Sequence, residues 1–286
     1  MSEPLNLLSR PYRIAAIAAL TAMAAIAAAR AGLHVEPGWA AINGAVETLP
    51  RWVVISTIVF LAAIISSTVG FAFSAVASAI ILHFVPNGVE AVQIMMAASI
   101  GIQTYSVAGL AGSIRWTRCA PFILGGIATL PLGTLLLLNL EPRQYLLAMA
   151  AALIAYGTYM LVRRPAVIKG NRMAELLIGA CSGITGPLAA SPGAAVAIWC
   201  SMRGWDKVTQ RAVYQPHILI LQLAGMGSLY LLQNAATFDF RLFGYALPAL
   251  AGAVIGLRAF QAMTDVQFQR AINLAMIASG LALALK

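Results

Sequence analysis

Residues 173–202 read MAELLIGACSGITGPLAASPGAAVAIWCSM. A helix needs about 20 apolar residues to cross roughly 30 Å of hydrocarbon. These 30 residues are too many for one crossing and too few for two crossings with a loop. The centre, Cys181-Ser182-Gly183-Ile184-Thr185-Gly186-Pro187 followed by Ser191-Pro192-Gly193, gathers residues that interrupt helices together with hydroxyls that satisfy the backbone groups an interruption frees. Irregular backbone at membrane depth survives only where protein buries it or water lines it. The stretch therefore predicts a broken, re-entrant helical hairpin that enters and leaves on one side. A second stretch, residues 52–85, has 34 residues with Ser66-Ser67-Thr68-Val69-Gly70 at its centre, and it predicts the same element.

The rest of the chain agrees with a bilayer setting. Of its 286 residues, 61% are hydrophobic and 9% charged, with a mean hydropathy of +0.86. Soluble domains carry about 25% charged residues, so a soluble enzyme, a nucleic-acid module and a disordered chain are excluded. The net charge of +9 lies in short gaps between apolar runs, a membrane pattern rather than a basic nucleic-acid face. Further spans are expected at 12–33, 89–112, 117–140, 144–162, 207–234, 240–261 and 266–285. The first also fits a signal peptide, with Arg10 and Arg13 before an apolar run and Ala27-Ala28-Ala29 after it; the reading adopted is a retained helix. Cys119, Cys181 and Cys200 have no zinc or redox spacing and read as small core residues.

Charge fixes an orientation. The loop 163–172 holds Arg163, Arg164, Lys169 and Arg172 and no acid, and is placed in the cytoplasm. Alternating outward, with both long stretches as hairpins, puts 13 of the 18 basic residues inside, as the positive-inside rule asks. The N-terminus is then cytoplasmic and the C-terminus periplasmic, in a multi-pass protein of the cell inner membrane. Arg115 and Arg211 are expected to snorkel at the cytoplasmic surface, or to draw an anion to the inner mouth.

The order of elements repeats: long hairpin, span, span, span, then the same again. At an offset of 123, Gly133 meets Gly256, Gln144 meets Gln267 and Tyr145 meets Phe268; near an offset of 117, the segment from Asn87 to Gln93 resembles that from Gly204 to Gln210. The first unit starts outside and the second inside, so they read as inverted copies. Inverted repeats with broken helices near the midplane are a layout of secondary transporters. The organisation expected is an N-terminal transmembrane helix and periplasmic loop (1–51), a first repeat (52–162), a basic cytoplasmic linker (163–172) and a second repeat (173–286): an all-α polytopic membrane protein.

The two-half layout, Ser182-Gly183-Ile184-Thr185-Gly186-Pro187, and the Gly-rich third spans (Gly125, Gly126 and Gly133; Gly252 and Gly256) resemble the TauE/SafE sulfite exporter family over roughly 52–285. The first half departs from the family's run of glycines, holding Gly70 followed by Phe71-Ala72-Phe73-Ser74. The resemblance implies transport of sulfur-containing anions such as sulfite, organosulfonates or sulfoacetate.

The residues themselves favour an anion. All nine acids lie near span ends or in loops, so a cation would meet no carboxylate pair at mid-membrane. Helix starts carry about half a positive charge and free N–H groups. If the second arm of each hairpin starts near the midplane, Thr68, Gly70 and Ser74 and Thr185, Gly186, Ser191 and Gly193 would line one cavity. Each of these small residues could instead serve close helix packing. His217 is the one histidine deep in a span, with Tyr214 and Gln215 beside it and Pro216 as a kink; Gln103 and Tyr105 stand in the corresponding first-half span. His217 could be a satisfied interior group, bind a sulfonate oxygen or carry a coupled proton. No nucleotide motif or nucleophilic triad is present, and no cofactor, metal or nucleic acid is expected. The reading is a secondary exporter working by alternating access, with a small sulfur-containing anion, a proton and membrane lipid as partners and no assigned oligomeric state. Rival readings are an integral-membrane enzyme using His217 and Tyr214 on a lipid-soluble substrate, a transporter of a non-sulfur anion, and a scaffold subunit.

Overall fold

The computed structural model describes residues 49–71, 73–85, 87–139, 150, 151, 154, 155, 157–159, 167–232 and 239–284. The expected N-terminal helix 12–33 and most of the span 144–162 lie outside the described residues. The described residues form helices and short connections, with no strand among them: α1 Arg51–Val69, α2 Phe73–Phe84, α3 Gly88–Leu110, α4 Trp116–Asn139, α5 Arg172–Ala189, α6 Ala194–Met202, α7 Lys207–Leu232, α8 Ala246–Ala262 and α9 Asp265–Ala284. Among the described residues, four segments are long and apolar enough to cross a membrane: Arg51–Val69, Gly88–Ser113, Trp116–Asn139 and Phe240–Ala262.

Each long apolar stretch is two helices. The first divides at Gly70, which ends α1 in the left-handed region at φ 100°. The second divides at Ala190, which ends α5 at φ 50°. This corrects the expected centre of the second break. Cys181–Pro187 is continuous helix, and the interruption falls on Ala190, Ser191, Pro192 and Gly193. Pro187 removes one donor but does not end α5; the carbonyl it deprives, that of Gly183, lies against Gly133 of α4. Cys181 also differs from expectation: it is exposed, whereas Cys119 and Cys200 are buried. At about 1.5 Å per residue, the 19 and 18 residues of α1 and α5 reach about 28 and 27 Å. The 12 and 9 residues of α2 and α6 reach only about 18 and 14 Å, short of the apolar thickness.

Polar residues mark the helix starts. Asn87 Oδ1 accepts from the N–H groups of Val89 (3.0 Å) and Glu90 (3.3 Å) at the head of α3. Asp206 Oδ1 accepts from Val208 and Thr209, both at 3.0 Å, at the head of α7. Asn171 accepts from Ala174 at α5 (2.7 Å). Lys207 Nζ donates to the carbonyls of Phe260 (3.2 Å), Gln261 (3.4 Å) and Met263, closing the end of α8, where the helix dipole favours a cation.

Without water to drive helices together, membrane packing depends on close van der Waals approach at small residues. Two such contacts recur. Gly252 and Gly256 of α8 lie against the carbonyls of Phe60 and Ile64 of α1. On α4, Thr129 donates to the carbonyl of Ala180 (2.7 Å) and Gly133 lies against that of Ile184, both on α5. Residue numbers rise together in each pair, so α1 runs parallel to α8 and α4 parallel to α5. A Cβ at Gly133 would sit 2.5 Å from the Ile184 oxygen, and one at Gly256 would sit 2.8 Å from Ser67 Cβ.

Candidate functional site

The two breaks meet each other and the first half of α7. The hydroxyl of Ser74, at the start of α2, donates to the carbonyl of Ala190. A Cβ on Gly193 would fall 3.0 Å from Phe71 Cβ and 2.8 Å from Ile218 Cγ1. Helix α7 supplies the polar groups that the breaks require. Arg211 Nη1 donates to the carbonyl of Ser67 (2.9 Å), Tyr214 Oη to that of Val69 (2.8 Å) and Gln215 Nε2 to that of Gly70 (3.2 Å). Those three carbonyls end α1, where no helical N–H remains to bond them. Arg211, Tyr214 and Gln215 are spaced i, i+3, i+4, so one face of α7 reaches all of them.

Gly70 is required here twice over. Its φ of 100° disfavours any L side chain, and a Cβ would sit 2.6 Å from Tyr214 Oη and 2.7 Å from Gln215 Nε2.

The second break is held differently. The Ser182 hydroxyl donates to the Pro192 carbonyl, and Ser182 Oγ lies 2.8 Å from His217 Nε2. A hydroxyl has one proton to give, so Nε2 carries the imidazole hydrogen and donates to Ser182. That leaves Nδ1 a bare acceptor; it is buried and has no partner among the described residues. The ring packs edge-on to Phe122, centroids 6.4 Å apart.

Gly70, Ser74, Gly193, Tyr214, Gln215 and His217 thus come together at the junction, with Ser191 buried in the second break itself. Gly186 lies close by, a Cβ there being 3.0 Å from Pro192 Cβ. Thr68 turns to its own helix and to the Gly256 carbonyl of α8 (3.4 Å). Thr185 bonds the Cys181 carbonyl one turn back (2.9 Å). Gln103 is buried on α3 with Oε1 unpartnered among the described residues; Tyr105 is exposed.

The residue misjudged from sequence is Arg211. The sequence places it at the cytoplasmic surface, whereas it is fully buried, its guanidinium 4.1 Å from the centroid of Phe260. Its spacing to Tyr214 and Gln215 was the available signal. Ser182 and Ala190 were also missed as junction residues.

Near the start of α7 a cavity of about 430 Å³ is lined by Gly112, Ser113, Arg115, Arg118, Thr209 and Ala212, among others. Arg118 and Arg203 flank the Trp205 ring at 5.5 and 5.3 Å.

The family model of the sulfite exporter TauE/SafE matches residues 55–283. The chain belongs to the TauE/SafE family. Its match takes in both broken segments, the junction and α1 to α9 save the outermost ends of α1 and α9. No curated protein and no solved structure matches the chain. Membership makes this a membrane transporter of the sulfite-exporter kind and not an enzyme, which removes the reading of His217 and Tyr214 as catalysts.

Proposed function

We propose that this TauE/SafE protein exports a sulfur-containing oxyanion (sulfite, an organosulfonate or sulfoacetate) across the cell inner membrane by alternating access, with the anion held where the two broken segments meet α7. The observation that carries the proposal is the junction itself. Two discontinuous helices end against one another inside an apolar protein, and one face of a third helix lines their ends.

The doubled packing supports two inverted units. Gly70 and Ala190 stand 120 apart, as do Phe60 and Ala180, and Ile64 and Ile184; Thr129 and Gly252 stand 123 apart, as do Gly133 and Gly256. So α1 rests on α8 of the second unit, and α5 rests on α4 of the first. The caps Asn87 and Asp206 are 119 apart, and so are Gln103 and Gln222, both with a buried Oε1 that has no partner among the described residues. A rocking of one unit on the other would move these two interfaces together. In this reading the hairpins re-enter from opposite faces, the N-terminus is cytoplasmic and the C-terminus periplasmic. The arginine-lined cavity is the inner vestibule. The negative interior of the cell drives an anion outward. Alternatively, a proton taken by His217 Nδ1, which would turn a bare acceptor into a donor, supplies the coupling in place of the potential.

The test is uptake by liposomes holding the purified chain alone. Inward accumulation of labelled sulfite under an inside-positive potential, absent from protein-free liposomes, is the expected result. No flux of sulfite, sulfonate or sulfoacetate above protein-free liposomes would refute it.

A further inference from the structure

The geometry points to the Nε–Nη2 edge of Arg211 as the group that grips the oxyanion, side-on, through two parallel N–H bonds. This rests on the export reading above and names the residue and ligand geometry within it.

Arg211 is fully buried, 0% exposed. A guanidinium presents five N–H donors in a fixed fork. The Nη1 end is used, donating to the Ser67 carbonyl at 2.9 Å. Nε and Nη2 are both buried and have no hydrogen-bond partner among the described residues. Those two nitrogens share one edge of the planar group, the edge that binds two oxygens of one anion at once.

No carboxylate supplies the missing partner among the described residues. Glu90 is paired with Arg51 at 3.0 Å. Asp206 caps α7. Asp265 accepts from the Lys207 N–H at 3.1 Å, and Asp239 lies 4.0 Å from Arg241. Glu175 lies in the field of Arg203, Arg172 and Arg118.

The charge is partly accommodated by the carbonyl end of α1 and by the Phe260 face. Neither group satisfies the Nε–Nη2 edge. A cation in a membrane interior marks a substrate path by default. The Ser67 hydroxyl is also buried and unpartnered among the described residues, and it belongs to the residue whose carbonyl fixes the guanidinium. The ligand class follows: a tetrahedral or pyramidal oxyanion with at least two oxygens on one face, not a spherical halide.

The test is calorimetric titration of the full chain in detergent with sulfite, methanesulfonate and chloride. Wild type should prefer sulfite and methanesulfonate to chloride by about 100-fold or more, the scale of two charge-assisted hydrogen bonds. Arg211→Gln should weaken sulfite about 100-fold or more, and Arg211→Lys, which keeps the charge and loses the fork, about 10-fold with a narrower oxyanion preference. If both variants bind sulfite as wild type does, the assignment is overturned while the export reading stands. If wild type binds none of the three, the export reading fails and the assignment with it. Should neither variant fold, wild-type selectivity decides: preference for oxyanions supports the fork, and equal or tighter binding of chloride overturns it.

Discussion

Gly70→Ala should destabilise the protein more than most alanine substitutions do. The backbone there is at φ 100°, and forcing an L residue into left-handed space costs about 1–2 kcal/mol. The new Cβ would also sit 2.6 Å from Tyr214 Oη, 2.7 Å from Gln215 Nε2 and 2.8 Å from Tyr214 Cε2. These are the groups that bond the carbonyls of Val69 and Gly70, so relief of the overlap disturbs two hydrogen bonds. Overpacking of this kind costs about 1–3 kcal/mol, giving about 2–5 kcal/mol together. For a chain longer than 250 residues, about 2 °C per kcal/mol is a fair conversion, so the melting midpoint should fall by about 4–10 °C. The assay is tryptophan-fluorescence melting of detergent-solubilised protein at one fixed scan rate. Gly227→Ala is the control: a Cβ there meets nothing within 4 Å, and alanine in a helix interior should stabilise by about 0.5–1 kcal/mol. A Gly70→Ala midpoint equal to or above wild type would refute the left-handed, tightly packed break.

Four other outcomes follow from the same structure. Ala190→Gly should raise the midpoint, since a non-glycine residue at φ 50° carries about 1 kcal/mol of strain; a fall would place the second break elsewhere. Lys207→Met should lower stability by about 1–2 kcal/mol through loss of the carbonyl contacts at the end of α8, with the effect read by the same melting assay. The Asp206 carboxyl is held below its ordinary value, first by the Thr209 hydroxyl bond. Its contribution is therefore present above about pH 4 and lost as pH falls through the lower folded value, so the midpoints of wild type and Asp206→Asn should differ at pH 7 and draw together as the pH is taken below the ordinary carboxylate range. A cysteine replacing Gly204 should react with a membrane-impermeant thiol reagent in inverted vesicles and not in intact spheroplasts; the opposite pattern would reverse the proposed orientation.

Much of the architecture was readable because membrane burial is written in long apolar runs. The lengths of 52–85 and 173–202 alone disclosed that neither was one helix. Gly70 located the first break well, since glycine there answers a backbone need and a packing need at once. The second break lies later in the chain than its sequence suggests. Gly183, Gly186 and Pro187 look like interruptions, but Gly183 packs against Gly126 and Gly133, Gly186 packs against Pro192, Pro187 stays inside α5, and the left-handed turn falls on an alanine that no propensity singles out. The burial of Arg211 is hidden in the sequence for a different reason. The residue begins the second turn of α7, where a cation ordinarily snorkels; only the third dimension shows Phe260 and the end of α1 closing over it. Tyr214 and Gln215 were recognised as polar members of a span, but not that the carbonyl ends of a broken helix would be their partners.

The most direct measurement is the position of a bound anion. Selenite, an oxyanion of the same shape as sulfite, can be located by anomalous diffraction at the selenium edge. A selenium peak beside the Nε–Nη2 edge of Arg211, next to Ser67 and one turn from Tyr214, is the expected result. A peak confined to the cavity of Arg115 and Arg118, or lying on the far side of α7, would contradict the site.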